Sequence, residues 1–345
     1  MFIPSMDVPG QPFSRQGPAV KLLTLLCVLA LGIVFLPPVL NMVSFIRENR
    51  GTGHFELLKT RSRLPLPLLV LRGTLSAFFG NVYWLSGVHH FLHFGLSRPQ
   101  HTDPNQPVIL MVHGLYHNSS AWRVLKKHLQ AKGFVNGYTW SYPSFSKSFQ
   151  DLVHDCTRAI QRVQAVHPNA GLVLIGHSLG GLILRQAMCD PELPPRVGML
   201  ITLGTPHQGT RTARMGPGRL ARGLVPDGKI IQEVRDSKCC RSLPALSLYS
   251  NLDTMVVPAS GLRIHEPGWR EQETEPTTHV AMLFNAAVCR TVVECVSSMP
   301  SGQDEVEHNP GNPGQADALH GELSGGKGHP ADAQDHDQGH DDHVP

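Results

Sequence analysis

Three features predict an α/β protein with a mostly parallel sheet flanked by helices and an N-terminal hydrophobic membrane anchor. Strand-like and helix-like segments alternate after Pro107, a serine sits between glycines where one strand meets a helix, and an uncharged apolar run lies near the N-terminus. With 345 residues, 41% of them apolar, the chain is long enough to bury a sizeable core.

The run LLTLLCVLALGIVFLPPVL, Leu22 to Leu40, holds no charge, and the uncharged stretch continues to Ile46. About 20 apolar residues cross a bilayer as a helix. Residues 22–46 are therefore predicted to be a transmembrane anchor behind a short N-terminal segment, 1–21. A cleaved signal peptide is the competing reading, but its apolar region is ordinarily shorter, and no small-x-small site follows. Pro37-Pro38 is expected to kink or end the helix.

Residues 47–104 read as a linker and a second hydrophobic region. The second apolar run, Leu64 to Leu92, is interrupted by Arg72, His89 and His90, and reads as a poorer span or as a helix lying on the membrane face. Positive charge tends to stay in the cytoplasm. Arg47, Arg50, Lys59, Arg61 and Arg63 in the linker would keep the following domain inside with one span and outside with two.

The domain proper is expected over 105–300. PVILMVHGL is a buried strand ending in glycine. SFQDLVHDCTRAIQRV sets Phe149, Leu152, Val153, Cys156 and Ile160 on one helical stripe. LVLI is the next strand and GLILRQAM opens the next helix. RVGMLITLGTP and LPALSLYSNLD read as further strands, and HVAMLFNAAVCRTVVECV as a terminal helix. From Ser301 the composition is Gly, Pro, Asp, His and Gln with almost no large apolar side chain, so 301–345 is expected to be a disordered acidic tail. Its six histidines, His308 to His343, offer weak metal binding as a lesser alternative to a solvated tail.

The net charge of +3 hides an asymmetry: ten acidic residues against Lys327 alone give the tail −9, which leaves +12 on the first 300 residues. The Lys and Arg of that body are scattered and form no basic helix with interleaved aromatics, which speaks against a nucleic-acid partner. Seven cysteines show no zinc spacing. Cys27 lies in the apolar run, and Cys156, Cys189, Cys289 and Cys295 fall on expected helices, where buried free thiols are the default. The Cys239-Cys240 pair is open to a disulfide in an oxidising compartment.

The chemistry is carried by Gly176-His177-Ser178-Leu179-Gly180. A strand turning sharply into a helix strains the corner residue; small neighbours let the chain pass close by, and the serine hydroxyl projects above the sheet. The helix N-terminus favours developing negative charge. A serine hydroxyl needs a base held by an acid. Asp253 lies just past an apolar strand and His279 just before the terminal helix, so the order is Ser178, Asp253, His279. Asp227 and Asp236 rival the acid, and His207 and His265 rival the base. His177 is expected to pack beside the elbow. An oxyanion hole would draw one backbone N–H from Leu179 and one from Leu115, in the loop after His113-Gly114.

In this order VHGLYHNSSAW, LIGHSLGGLI, LGTPHQGT, SNLDTMVVP and HVAML resemble an α/β-hydrolase of the bacterial triacylglycerol lipase and esterase group, over roughly Pro107 to Val296. The resemblance implies ester hydrolysis through an acyl-enzyme, with Ser178, Asp253 and His279 as the triad. It also implies a fold beginning near the central strands, and no cofactor or metal is expected. Insertions at the place of RTARMGPGRLARGLVPDGKIIQEVRDSKCCRS often cover the acyl pocket in this fold, so this stretch is either a lid or substrate wall, or a plain surface excursion. The expected protein is a membrane-anchored carboxylic ester hydrolase acting on an ester or lipid substrate. Its place is the inner membrane, with the side of the domain left open. Acyl transfer by the same triad and a non-catalytic membrane scaffold are the alternatives.

Overall fold

The computed structural model describes residues 17–237, 239–240 and 243–299. The expected acidic tail and its histidines lie outside them. The elements run α1 (Pro18–Asn49), α2 (His54–Arg61), α3 (Leu66–Ser86), β1 (Gly95–Ser97), β2 (Val108–Val112), α4 (Arg123–Ala131), β3 (Gly137–Ser141), α5 (Phe149–Val166), β4 (Leu172–His177), α6 (Leu179–Ala187), β5 (Val197–Leu203), α7 (Gly218–Gly223), α8 (Lys229–Ser237), β6 (Ala245–Tyr249), β7 (Trp269–Glu273) and α9 (Ala286–Ser297). The sheet has seven strands in the order β1-β3-β2-β4-β5-β6-β7, all pairs parallel except the antiparallel β1–β3 edge.

Every residue of β2 and β4 is buried, as expected for strands covered on both faces. Alternate side chains face opposite layers. Val108, Leu110, Val112, Leu172 and Leu174 pack with α5 to α8, while Ile109, Met111, Val173 and Ile175 pack with α4 and α9. On α5 the buried stripe is Phe149, Leu152, Cys156, Ile160 and Val163, with Val153 half-buried at its edge. Ser148 starts that helix with a capping box to Asp151.

Three strands were not expected from the sequence. β1 has three residues, β3 (GYTWS) mixes polar residues among its aromatics, and β7 (WREQE) is a polar edge strand with no apolar run to mark it. The sheet thus begins one strand before β2, not near its centre. The terminal helix is also shorter than its apolar pattern: residues 281–284 form a 3-10 turn, and Asn285 caps α9 by accepting from the amides of Ala287 (2.8 Å) and Val288 (3.2 Å).

The N-terminal helices are built onto this domain. The 32 residues of α1 span about 48 Å. Its first turns expose Val20, Leu22, Leu23, Leu25, Leu26, Val28, Leu29 and Leu31, whereas Met42 and Phe45 are buried with Leu58, Leu69, Leu252 and Val257. Pro37 and Pro38 lie inside the helix. Pro38 has no N–H for the carbonyl of Val34, and Asn81 of α3 donates to that carbonyl instead (3.2 Å).

The small residues Gly73, Ser76 and Gly80 let α3 approach the loop before α9. Ser76 Oγ lies 3.0 Å from Thr278 Oγ1, and a Cβ on Gly80 would come within 3.0 Å of Val280. The opposite face of α3 exposes Leu68, Leu71, Leu75 and Phe79. The basic linker lies on the same domain, through His54 Nε2 to the Asn251 carbonyl (2.7 Å), Arg61–Glu273 (3.3 Å) and Arg211–Glu48 (2.5 Å). Both α1 and α3 are long and apolar enough to cross a membrane.

Cys189 forms a disulfide with Cys239 (Cα–Cα 4.9 Å), which corrects the expectation of a buried free thiol. Cys189 is exposed just past the end of α6, facing the excursion that carries α7 and α8, while Cys240 is buried and free. The bridge closes a loop across a sequence separation of 50. Chain-entropy reasoning gives about 4 kcal/mol for such a loop. Dithiothreitol should therefore lower the thermal midpoint of the wild type but not that of Cys239→Ser, measured by circular dichroism.

Candidate active site

β4 ends at His177 and α6 starts at Leu179, so Ser178 alone makes the corner. Its backbone is held at φ 53°, ψ −123°, a region that costs an L-residue energy and persists only when neighbours over-determine it. Its N–H donates to the Leu203 carbonyl at the end of β5 (2.9 Å), and its carbonyl accepts from the Gly181 amide (3.0 Å) and Thr205 Oγ1 (3.1 Å). Both flanking glycines are steric necessities. A Cβ on Gly180 would stand 2.2 Å from the Val112 carbonyl oxygen, and one on Gly176 would stand 2.5 Å from the Gly181 Cα. The Ser178 side chain is half-buried and borders a cavity.

His279 and Asp253 meet across the ends of the strands. His279 Nδ1–H donates to Asp253 Oδ2 at 2.6 Å, and the other carboxylate oxygen accepts from the amides of Met255 and Val256, each at 2.8 Å. These amides anchor the carboxylate, and the hydrogen bond fixes the imidazole with Nε2 bare. His279 is 3% exposed and Asp253 1%. The rivals lie elsewhere. Asp227 is exposed beside Arg235, Asp236 is exposed on α8, and His265 is exposed. His207 is buried and bonded to Arg185 (2.9 Å) and Ser247 (3.2 Å).

The loop after β2 is fixed from beneath. His113 Nε2 accepts from the Tyr142 amide (3.1 Å), so Nδ1 carries the proton and donates to the Gly114 carbonyl (2.8 Å). Trp84 of α3 donates to the Tyr116 carbonyl (2.8 Å). The Tyr116 amide donates to Ser144 Oγ (2.9 Å) and the His117 amide to the Gly114 carbonyl (3.2 Å). The Leu115 amide between them finds no acceptor among the described residues. The same holds for Leu179, which starts α6 and has no intrahelical acceptor.

Two more histidines flank this centre. Burial pushes the His117 imidazole down to about 4 and His177 well below its usual value. His177 packs on His279 (ring centroids 4.7 Å apart), with Nε2 3.2 Å from the His279 carbonyl. His177 therefore stays neutral beside the His279 ring and adds no second cation there. His177 Nδ1 and His117 Nε2 are buried without partners among the described residues.

The cavity, about 380 Å³, is lined by Ser178, His279, Gly114 and Leu115, and by Thr210 to Leu224 of the excursion after β5. The excursion is thus a wall of this cavity. Leu36, Pro37, Leu40 and Asn41 of α1 also line it, over a hundred positions away in sequence from Ser178. The sequence marks α1 only as an apolar anchor, because periodicity shows that a helix is apolar but not what stands against it. Among the described residues, no group of three or more His, Cys, Asp or Glu side chains is placed to hold a metal ion.

The profile of the family described as "Alpha/beta hydrolase family" matches residues 109–300, more than half of the chain. The chain belongs to the alpha/beta hydrolase family. Among curated proteins, this hydrolase is 30% identical over 148 residues to a GPI inositol-deacylase of Candida albicans, a match covering 42% of the chain and 33% of that protein. It therefore spans about a third of that relative's length. Among solved structures, a mature lipase of Bacillus licheniformis superposes with a TM-score of 0.50 at 16% identity, covering 58% of this chain and 97% of that one. Aspergillus fumigatus lipase B superposes at 0.54 and 16% identity, covering 60% and 57%. At this identity the two structures show the shared fold alone.

Proposed function

We propose that this alpha/beta hydrolase is a membrane-anchored serine esterase that cleaves carboxylic esters of lipid origin. The observation that carries the reading is the His279–Asp253 hydrogen bond of 2.6 Å beside a cavity that also holds Ser178 on its strained corner. His279 Nε2 takes the Ser178 proton as Oγ attacks the ester carbonyl, and Asp253 stabilises the imidazolium. The Leu115 and Leu179 amides receive the developing oxyanion. Collapse breaks the C–O bond, and His279 returns its proton to the departing alcohol. Water, deprotonated by the same imidazole, then attacks the acyl-serine and releases the acid.

The GPI inositol-deacylase relative adds acylated lipids to the candidate substrates. α1 is long and apolar enough to span a bilayer, and the exposed Leu68, Leu71, Leu75 and Phe79 face of α3 suits its surface. The Cys189–Cys239 disulfide fits a domain on the oxidising side.

Full-length protein in detergent is expected to hydrolyse p-nitrophenyl butyrate, and Asp253→Asn to lose about 10³–10⁴-fold in kcat with little change in KM. Steady-state kinetics check this. A variant with wild-type kcat would remove Asp253 from the mechanism.

A further inference from the structure

The Ser178 cavity is closed on one side by the helix read as the anchor. Leu36, Pro37, Leu40 and Asn41 of α1 line it together with Ser178 and His279. Three of these residues also face outward: Leu36 is 57% exposed, Leu40 45%, and Pro37 is exposed too. Side chains that line the cavity and are also exposed carry its apolar lining to the outer surface of α1. Met215, on the facing excursion, lines the same cavity and is 51% exposed, which continues the apolar rim.

The position along α1 fits a bilayer edge. The uncharged run starts at Leu22, and Asn41 lies 19 residues later, about 28 Å along the axis at about 1.5 Å per residue. The hydrocarbon core of a bilayer is about 30 Å thick. Over that length Leu22, Leu23, Leu25, Leu26, Val28, Leu29, Leu31, Phe35, Leu36, Val39 and Leu40 are exposed, and beyond it Met42 and Phe45 are buried against the domain. A bilayer holding the exposed turns would thus end where the cavity opens.

We infer that the Leu36–Asn41 turn of α1 is the acyl-chain wall of the Ser178 site, and that the substrate is a long-chain lipid ester entering sideways from the bilayer that holds α1. This rests on the esterase reading of Ser178. The helix then has two jobs: it holds the enzyme at the membrane, and it guides the chain of a neighbouring lipid to the serine. Asn41, on the same turn, is half-buried.

The test uses the full chain in detergent micelles with p-nitrophenyl butyrate and p-nitrophenyl palmitate. Leu36→Trp and Leu40→Trp fill the wall. Val43→Trp places the same bulk on an exposed α1 position that does not line the cavity. The wall variants should lose at least tenfold in kcat/KM for palmitate and less than twofold for butyrate, with Val43→Trp unchanged on both. Unchanged palmitate turnover in the wall variants, or parallel loss on both esters, would overturn the wall. Wild-type protein inert to butyrate would instead overturn the esterase reading, and this inference with it. For the bilayer source, dipalmitoylglycerol is placed in phosphatidylcholine vesicles. Substrate in the same vesicles as the protein should be consumed at least tenfold faster than substrate in separate vesicles, and equal rates would overturn lateral entry.

Discussion

Ser178→Ala is expected to lower ester turnover by about 10⁴-fold or more while leaving the protein folded. The substitution removes the Oγ and nothing else that holds the corner together. The amide still donates to Leu203, the carbonyl still accepts from Gly181 and Thr205, and alanine meets the same backbone strain at φ 53° as serine. The loss is therefore chemical. His279 would have no proton to take, and only the two oxyanion amides and substrate binding would remain. Two measurements check this together: hydrolysis of p-nitrophenyl butyrate and labelling by a fluorophosphonate probe. Both should vanish in the variant, with its circular dichroism spectrum unchanged. Full activity in Ser178→Ala would mean that the serine is only a tight turn.

Acid is expected to unfold this protein steeply, because burial holds His113, His117, His177 and His207 neutral. Burial pushes His113 down to about 3 and His117 to about 4, and holds His177 and His207 well below their usual value. In the unfolded chain each returns to about 6.5. The folded-state values are depressed, so both states are neutral above the unfolded value and stability there is full. As pH falls below about 6.5 the unfolded chain takes up protons that the folded chain refuses, and stability drops until the folded values are reached. At pH 5 this amounts to about 2 kcal/mol for each of His113 and His117, or about 4 kcal/mol together. That is a large share of the stability of an ordinary domain. Urea midpoints by tryptophan fluorescence should fall sharply between pH 7.5 and pH 5. Equal midpoints would show that these rings charge freely inside the fold. The same rings support the site: His113 fixes the Leu115 loop and His177 packs on His279, so activity and stability should decline together in acid.

The sequence was most legible where chemistry is local. The glycines around Ser178 announce a corner because a Cβ at either would collide with backbone, and that requirement is written within five positions. Asp253 and His279 were readable because each follows or precedes an apolar run that must form a strand or helix. The strands that escaped notice, β1, β3 and β7, lack such runs. β7 is an edge strand whose outer side needs no apolar pattern, and β1 has only three residues. The pairing of Cys189 was hidden for another reason. It closes a loop across 50 positions, and nothing near either cysteine records the other.

By itself, then, the sequence determined the corner at Ser178, the chain order of the residues proposed as its acid and base, the parallel sheet beneath them and the apolar run ahead of them. Each follows from spacing, and spacing is set by the geometry of a single helix or strand. The tertiary structure alone decided that the basic linker lies on the domain, that α3 props the Tyr116 and Thr278 loops, and that α1 walls the cavity. These are contacts between segments tens to hundreds of residues apart. They arise from which apolar faces find each other when the chain collapses, and a helix that is apolar on every side carries no mark of which side that will be.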